Sequence, residues 1–283
     1  MDEPQDRYFE SHGLKLHYCV WGDETKPPLV MVHGGRDHAR SWDFVAAAMM
    51  DRFCIYAPDL RGHGDSDWTV GGQYRVSDHV IDLTKLVDTI GSGPVDIIAH
   101  SLGGRVSLDF TATFPERVRR LVAIEGFGWP LRSERPAYER LAGLIKAVRE
   151  VEQGESRVYR TLADAEARMY EANRHLSPEM VTHLTRHAVR PREDGGYVWK
   201  FDPYVYVQAL SDWTQEELMD LWRRIDRPVL LIGGAENWPK QPLVRELSRA
   251  LPGARTVIVE NAANWVHHDQ TEEFVRLARE FLA

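Results

Sequence analysis

A single serine, set between a buried strand and a helix, constrains this chain more than any other feature. Val95–Ala99 has the apolar make-up of a buried strand and runs straight into His100-Ser101. Leu102–Phe114 then has helical character and is closed by Pro115. A backbone that passes from strand to helix at one residue makes a tight, strained turn, which lifts the serine Oγ above the sheet. Side chains two residues either side would crowd that turn, so small residues are needed there. Gly103 and Ala99 supply them, with alanine standing where glycine is usual.

The rest of the chain fits the sheet that such a turn requires. Short apolar runs at Leu14–Trp21, Leu29–Val32, Phe53–Ala57, Leu121–Ile124, Val229–Ile232 and Thr256–Val259 predict strands. Helical stretches alternate with them at Trp42–Met50, Val76–Ile90, Pro242–Leu251 and Glu272–Leu282. This rhythm predicts an α/β fold with a mostly parallel central sheet flanked by helices. It breaks between about Trp129 and Trp222, where the chain is charged, helical and rich in aromatic residues. Within that stretch Gly195-Gly196 predicts a turn and Tyr197-Val198-Trp199 a short extended piece. The expected organisation is a core domain of residues 1–128 and 223–283, interrupted by a helical cap of residues 129–222. In an open α/β sheet such an insertion is placed to act as a lid over the carboxyl ends of the strands.

Composition narrows the class. Hydrophobic residues make up 43% of the 283, enough for a sizeable core. A formal net charge of −8 argues against nucleic acid or an anionic membrane as partner. Cys19 and Cys54, both in apolar stretches, are expected to be buried thiols rather than a disulfide framework or metal ligands. Met1–Arg7 lacks the apolar segment of a secretory signal, and no apolar run approaches the ~20 residues that span a bilayer. A cytoplasmic protein with a small-molecule substrate or ligand, and without cofactor or bound metal, is expected. Its oligomeric state is not readable.

The second chemical signal is His33-Gly34-Gly35, at the end of a strand. Backbone N–H groups there can point at a developing oxyanion, and those of Gly35 and Leu102 would form an oxyanion hole beside Ser101.

With these pieces in place the chain resembles the α/β-hydrolase family over nearly its full length. Further matching segments are Asp59-Leu60-Arg61-Gly62-His63-Gly64-Asp65-Ser66, Phe114-Pro115-Glu116-Arg117-Val118 and Trp265-Val266-His267-His268-Asp269-Gln270. The Arg61–Ser66 loop is read as holding the rim of the site. The resemblance implies Ser101 as nucleophile, an acid and a histidine. The acid usually follows the strand Val229–Ile232 as Gly-x-x-Asp, but here that segment is Gly234-Ala235-Glu236-Asn237. Some relatives, such as those like haloalkane dehalogenases, carry the carboxylate after the preceding core strand, where this chain has Glu125. Glu125 is therefore the first choice of acid and Glu236 the second. At the position of the usual histidine stands Asn264, preceded by Ala263. An asparagine cannot take a proton from serine, and loss of the triad histidine in a model serine protease costs about 2 × 10⁶ in kcat.

His267 and His268 accompany the family's histidine and are read as additional residues. His183 and His187 share metal-compatible spacing but are read as a solvated helix face. The implied function is an enzyme acting on a small organic substrate, by ester, lactone or C–C bond chemistry, in a lidded apolar pocket with a degenerate triad. The alternatives are a non-catalytic ligand-binding protein, or a lyase, isomerase or cyclase that uses Glu125 instead of a Ser-His pair.

Overall fold

The computed structural model describes residues 3–91, 93–126, 134–154, 157–207, 210, 213–238, 250–251 and 253–283. The sheet contains strands β1 (Gln5–Ser11), β2 (Leu14–Trp21), β3 (Pro28–Val32), β4 (Cys54–Pro58), β5 (Val95–His100), β6 (Val118–Ile124), β9 (Val229–Gly234) and β10 (Arg255–Val259). Their spatial order is β1-β2-β4-β3-β5-β6-β9-β10. The first two pairings are antiparallel and all later ones parallel. This is the mostly parallel sheet that the alternating pattern predicts.

Side chains on successive strand residues face opposite sides, so each central strand feeds two cores. Val30, Val32, Ile97, Ala99, Leu121 and Ala123 pack on one face, against α2 (Val76–Ile90) and α3 (Leu102–Thr113). Leu29, Met31, Ile98, Val122 and Ile124 pack on the other, against α1 (Asp43–Met49) and the C-terminal helix α9 (Thr271–Phe281). Burial on both faces explains why these strands have no polar alternation.

The predicted elements largely recur with boundaries moved by a few residues. One strand departs from the sequence reading. Gln5–Ser11 is polar enough to look like a tail, yet it forms β1 by pairing residue for residue with β2 through the His12-Gly13 turn. It is an edge strand, where polar side chains can stay in water. The predicted helix Pro242–Leu251 lies mostly outside the described residues, as do residues 127–133 with Trp129 and the core–cap boundary.

Between β6 and β9, neighbours in the sheet, the chain inserts α4 (Ala137–Gln153), α5 (Leu162–Ala172), α6 (Pro178–Ala188) and α7 (Gln215–Trp222), with the hairpin β7 (Val189–Pro191) and β8 (Tyr197–Trp199). Capping boxes at Thr161 and Thr214 start α5 and α7. The insertion is tied to the core at several points. Trp222 is fully buried, and its indole Nε1–H donates to Asp109 on α3 at 2.8 Å. Leu176, Met180, Val181 and Leu184 pack with Phe44 and Trp265 from the core. The Asp202 N–H donates to the Gly62 carbonyl at 2.8 Å, and Lys200 pairs with Asp65 at 2.7 Å.

Candidate active site

Ser101 sits where β5 gives way to α3, with φ +50° and ψ −114°. Such a conformation costs of order 1–3 kcal/mol and persists only when its surroundings enforce it. The Ser101 N–H is fixed by the Ile124 carbonyl of β6 at 2.8 Å. The small residues after it are enforced by contact. A Cβ on Gly103 would lie 2.4 Å from the Val32 carbonyl oxygen and 2.5 Å from that of His33. One on Gly104 would lie 2.7 Å from the Gly126 Cα. The start of α3 is thus wedged between the ends of β3 and β6.

The His33-Gly34-Gly35 loop lies directly against this turn. A Cβ on Gly34 would meet the His100 ring at 2.7 Å and the Ser101 Cβ at 3.2 Å. His33 holds the loop in place: its Nδ1–H donates to the Gly34 carbonyl at 2.6 Å, and its Nε2 accepts from the Leu60 N–H at 2.9 Å. Burial pushes this imidazole down to about 3, so it stays neutral in that role. Leu102 opens α3, so its N–H lacks an intrahelical acceptor.

Asp59 anchors the loop that follows. Its carboxylate accepts from the N–H groups of Ala39 at 2.6 Å and Asp65 at 2.9 Å, and meets His17 Nδ1 at 2.7 Å. Burial alone would raise this carboxyl; its bonds and the neighbouring His17 hold it well below the usual range. Arg61 pairs with Asp82 through two bonds of 2.6 Å.

Asn264 faces the turn through His100. The His100 Nε2–H reaches both the Asn264 carbonyl oxygen, at 3.0 Å, and its side-chain Oδ1, at 3.1 Å. Burial pushes His100 down to about 4, and its Nδ1 has no hydrogen-bond partner among the described residues.

Glu125 occupies the next strand end, beside Ser101, and is also left-handed, with φ +52°. Its carboxylate accepts from the Gly234 N–H at 2.8 Å and from Asn237 Nδ2 at 2.7 Å. Glu125 and Asn237 are therefore direct partners. Burial raises this carboxyl to about 7 despite both bonds. Glu236 is placed elsewhere: half its side chain is exposed, and it faces His175 Nε2 at 3.0 Å. The structure therefore brings Ser101, Leu102, the Gly34-Gly35 loop and Asn264 around His100, sets Glu125 alongside, and leaves Glu236 at the surface.

Two groupings escaped sequence reasoning because their members come from separate segments. Asp37 lies with His267 and His268, and Asp43 with His183 and His187. The latter pair is half-buried against the core rather than on a solvated face, with His183 Nε2 at 3.0 Å from Asp43. The adjacent histidines were visible in the sequence; nothing local to Asp37 or Asp43 marks them.

Comparison with known proteins extends over the same elements. The chain is 26% identical to the candidate 2-succinyl-6-hydroxy-2,4-cyclohexadiene-1-carboxylate synthase of Bacillus subtilis, over 96% of each chain. It is 25% identical to the 2-(acetamidomethylene)succinate hydrolase of Mesorhizobium japonicum, over 90% of this chain and 88% of that one. The crystal structure of the hypothetical protein PA1622 from Pseudomonas aeruginosa superposes with a TM-score of 0.89 at 23% identity, covering 98% of this chain and 99% of the other, and shares the fold. The family model for the alpha/beta hydrolase fold matches residues 27–271, and the chain belongs to that family.

Proposed function

We propose that this protein is an α/β-hydrolase-family enzyme for a small organic substrate, acting by ester, lactone or C–C bond chemistry with a degenerate triad. The observation that carries the reading is the pairing of an enforced serine turn with an asparagine across His100. Ser101 presents its hydroxyl to a substrate carbonyl, and the N–H groups of Gly35 and Leu102 polarise it as an oxyanion hole. Asn264 cannot accept the serine proton, so acylation by the ordinary route is slow. Residual catalysis from such a hole and from binding alone is roughly 10³–10⁴ over water.

The inserted helices act as a lid. Between the insertion and the core runs a groove of about 640 Å³, lined by residues that include Trp68, Val148, Glu152, Asp202, Tyr204 and Tyr206. The Arg36 guanidinium lies 5.2 Å over the Tyr206 ring, which links that wall to the Gly35 loop. One relative is named as a hydrolase of 2-(acetamidomethylene)succinate, and another as a synthase whose named product bears a succinyl group. These names suit a small carboxylate-bearing substrate, and the net charge of −8 disfavours nucleic acid. Two buried free cysteines suit the cytoplasm.

A second reading has its own support. A carboxyl raised to about 7 is poised to give and take protons near neutrality, so Glu125 can serve a lyase, isomerase or cyclase reaction without a Ser-His pair.

Asn264→His tests the first reading. With a base restored, hydrolysis of p-nitrophenyl esters and labelling of Ser101 by a fluorophosphonate should rise by at least about 10³-fold, well within the cost of a missing triad histidine. Fast stoichiometric labelling of the unaltered protein would overturn the degenerate triad. No gain in the variant, with Glu125→Gln abolishing the native reaction, would favour the second reading.

A further inference from the structure

Behind the Gly35 loop lies a group of polar atoms that the proposed chemistry does not use. His267 is fully buried and His268 is 7% exposed. Neither nitrogen of either ring has a hydrogen-bond partner among the described residues. A buried polar group left unpaired costs about 1–3 kcal/mol, so these nitrogens call for partners, and one ion can engage one nitrogen on each ring. The two rings lie 4.0 Å apart between centroids. Asp37 brings a carboxylate to them from the loop after β3.

The spacing is the informative quantity. A carboxylate oxygen of Asp37 and one ring nitrogen from each histidine all lie within 4.8 Å of one another. No hydrogen bond joins the carboxylate to either ring. Zinc bonds of about 2.0–2.2 Å put neighbouring ligands about 3.4 Å apart in a tetrahedral site, so shifts of about 1 Å would close this set on an ion. One Asp37 oxygen is already oriented by the His38 N–H at 2.9 Å, as an outer-shell partner orients a metal ligand. Burial, followed by the neighbouring histidines, lowers both rings far below the usual range and keeps them neutral, with lone pairs to give. Asp37 is partly exposed.

The other groupings of the same residue types lack these free donors. Both nitrogens of His17 are engaged, by Asp59 and Asp6. Asp43 is held by Arg40 through bonds of 3.0 and 2.8 Å.

We propose that Asp37, His267 and His268 bind one divalent transition-metal ion of the zinc class, with solvent completing its coordination. Two imidazoles and a carboxylate match the donor set of three-ligand zinc sites. The ion would sit one side chain from the serine turn, since the His100 ring packs at 4.7 Å from that of His267. The inference does not rest on any role for Ser101.

The test is titration of chelator-treated full-length protein with Co²⁺, followed by its visible d–d absorption, and with Zn²⁺ in competition with a chromophoric chelator. One equivalent should bind, and Zn²⁺ should raise the melting temperature. Asp37→Asn and His268→Leu should each weaken binding at least about a hundredfold, since loss of even an outer-shell partner costs about 10–100-fold. His183→Ala, in the neighbouring group, should leave binding unchanged. Asp37→Asn keeps the shape of the side chain, so it serves if His268→Leu fails to fold. Substoichiometric binding, equal binding by wild type and Asp37→Asn, or loss of binding in His183→Ala instead would overturn the assignment and leave water as the occupant.

Discussion

Replacing Glu125 with glutamine isolates the cost of keeping an ionisable group at the second strand end. The carboxyl is raised from 4.5 to about 7 by burial, which its bonds from Gly234 and Asn237 only partly offset. Between those values the folded chain binds more protons than the unfolded one, so stability falls as pH rises and levels off above about 7. Linkage puts the penalty of this one group at under about 1 kcal/mol at pH 5 and about 3 kcal/mol at pH 8. Glutamine has no such penalty, and its amide keeps an oxygen for the Gly234 N–H while Asn237 can turn its own amide to match. Glu125→Gln should therefore gain about 2–3 kcal/mol relative to wild type between pH 5 and pH 8. Urea unfolding of both proteins at the two pH values, with equal slopes, measures that difference. A stability difference that stays constant within about 0.5 kcal/mol would mean that Glu125 ionises as it does in water, and would refute the burial argument.

Two other substitutions probe the frame of the site. Asp59→Asn turns one oxygen of a triply bonded buried carboxylate into a donor facing donors; urea unfolding should show a loss of about 3–5 kcal/mol, and a loss below about 1 kcal/mol would deny Asp59 its anchoring role. Gly126→Ala would place a Cβ 2.5 Å from the Gly104 Cα and 2.9 Å from the Ser101 carbonyl oxygen. It should cost about 1–3 kcal/mol in a thermal melt and slow fluorophosphonate labelling of Ser101; no change in either would mean the packing at the turn is looser than described.

The core of the fold was legible because each central strand is buried on both faces and bracketed by helices. Val30–Val32 and Ile97–Ala99 have no polar residue to confuse the period. β1 was not legible because Phe9 is its one buried large hydrophobic residue and its place is set by register with β2. The serine turn could be read because strand, small residues and helix are contiguous in sequence. The partnership of Glu125 with Asn237 could not, since it spans 112 positions and depends on β6 lying beside β9. Asp37 was invisible for the same reason: a carboxylate two residues beyond a glycine pair has no pattern until α8 (Val266–Asp269) is folded against it.

The turn that carries Asn264 is held by backbone contacts and by the Asp269 carboxylate. The Ala263 N–H is held by Asp269 at 2.8 Å, the Ala262 carbonyl accepts from the Glu236 N–H at 3.1 Å, and Gly234 lies so close that a Cβ there would fall 2.0 Å from the Ala263 oxygen. None of these ties depends on the side chain at 264. The side chain at 264 can therefore change with little effect on the backbone of this corner, apart from the bond it accepts from His100.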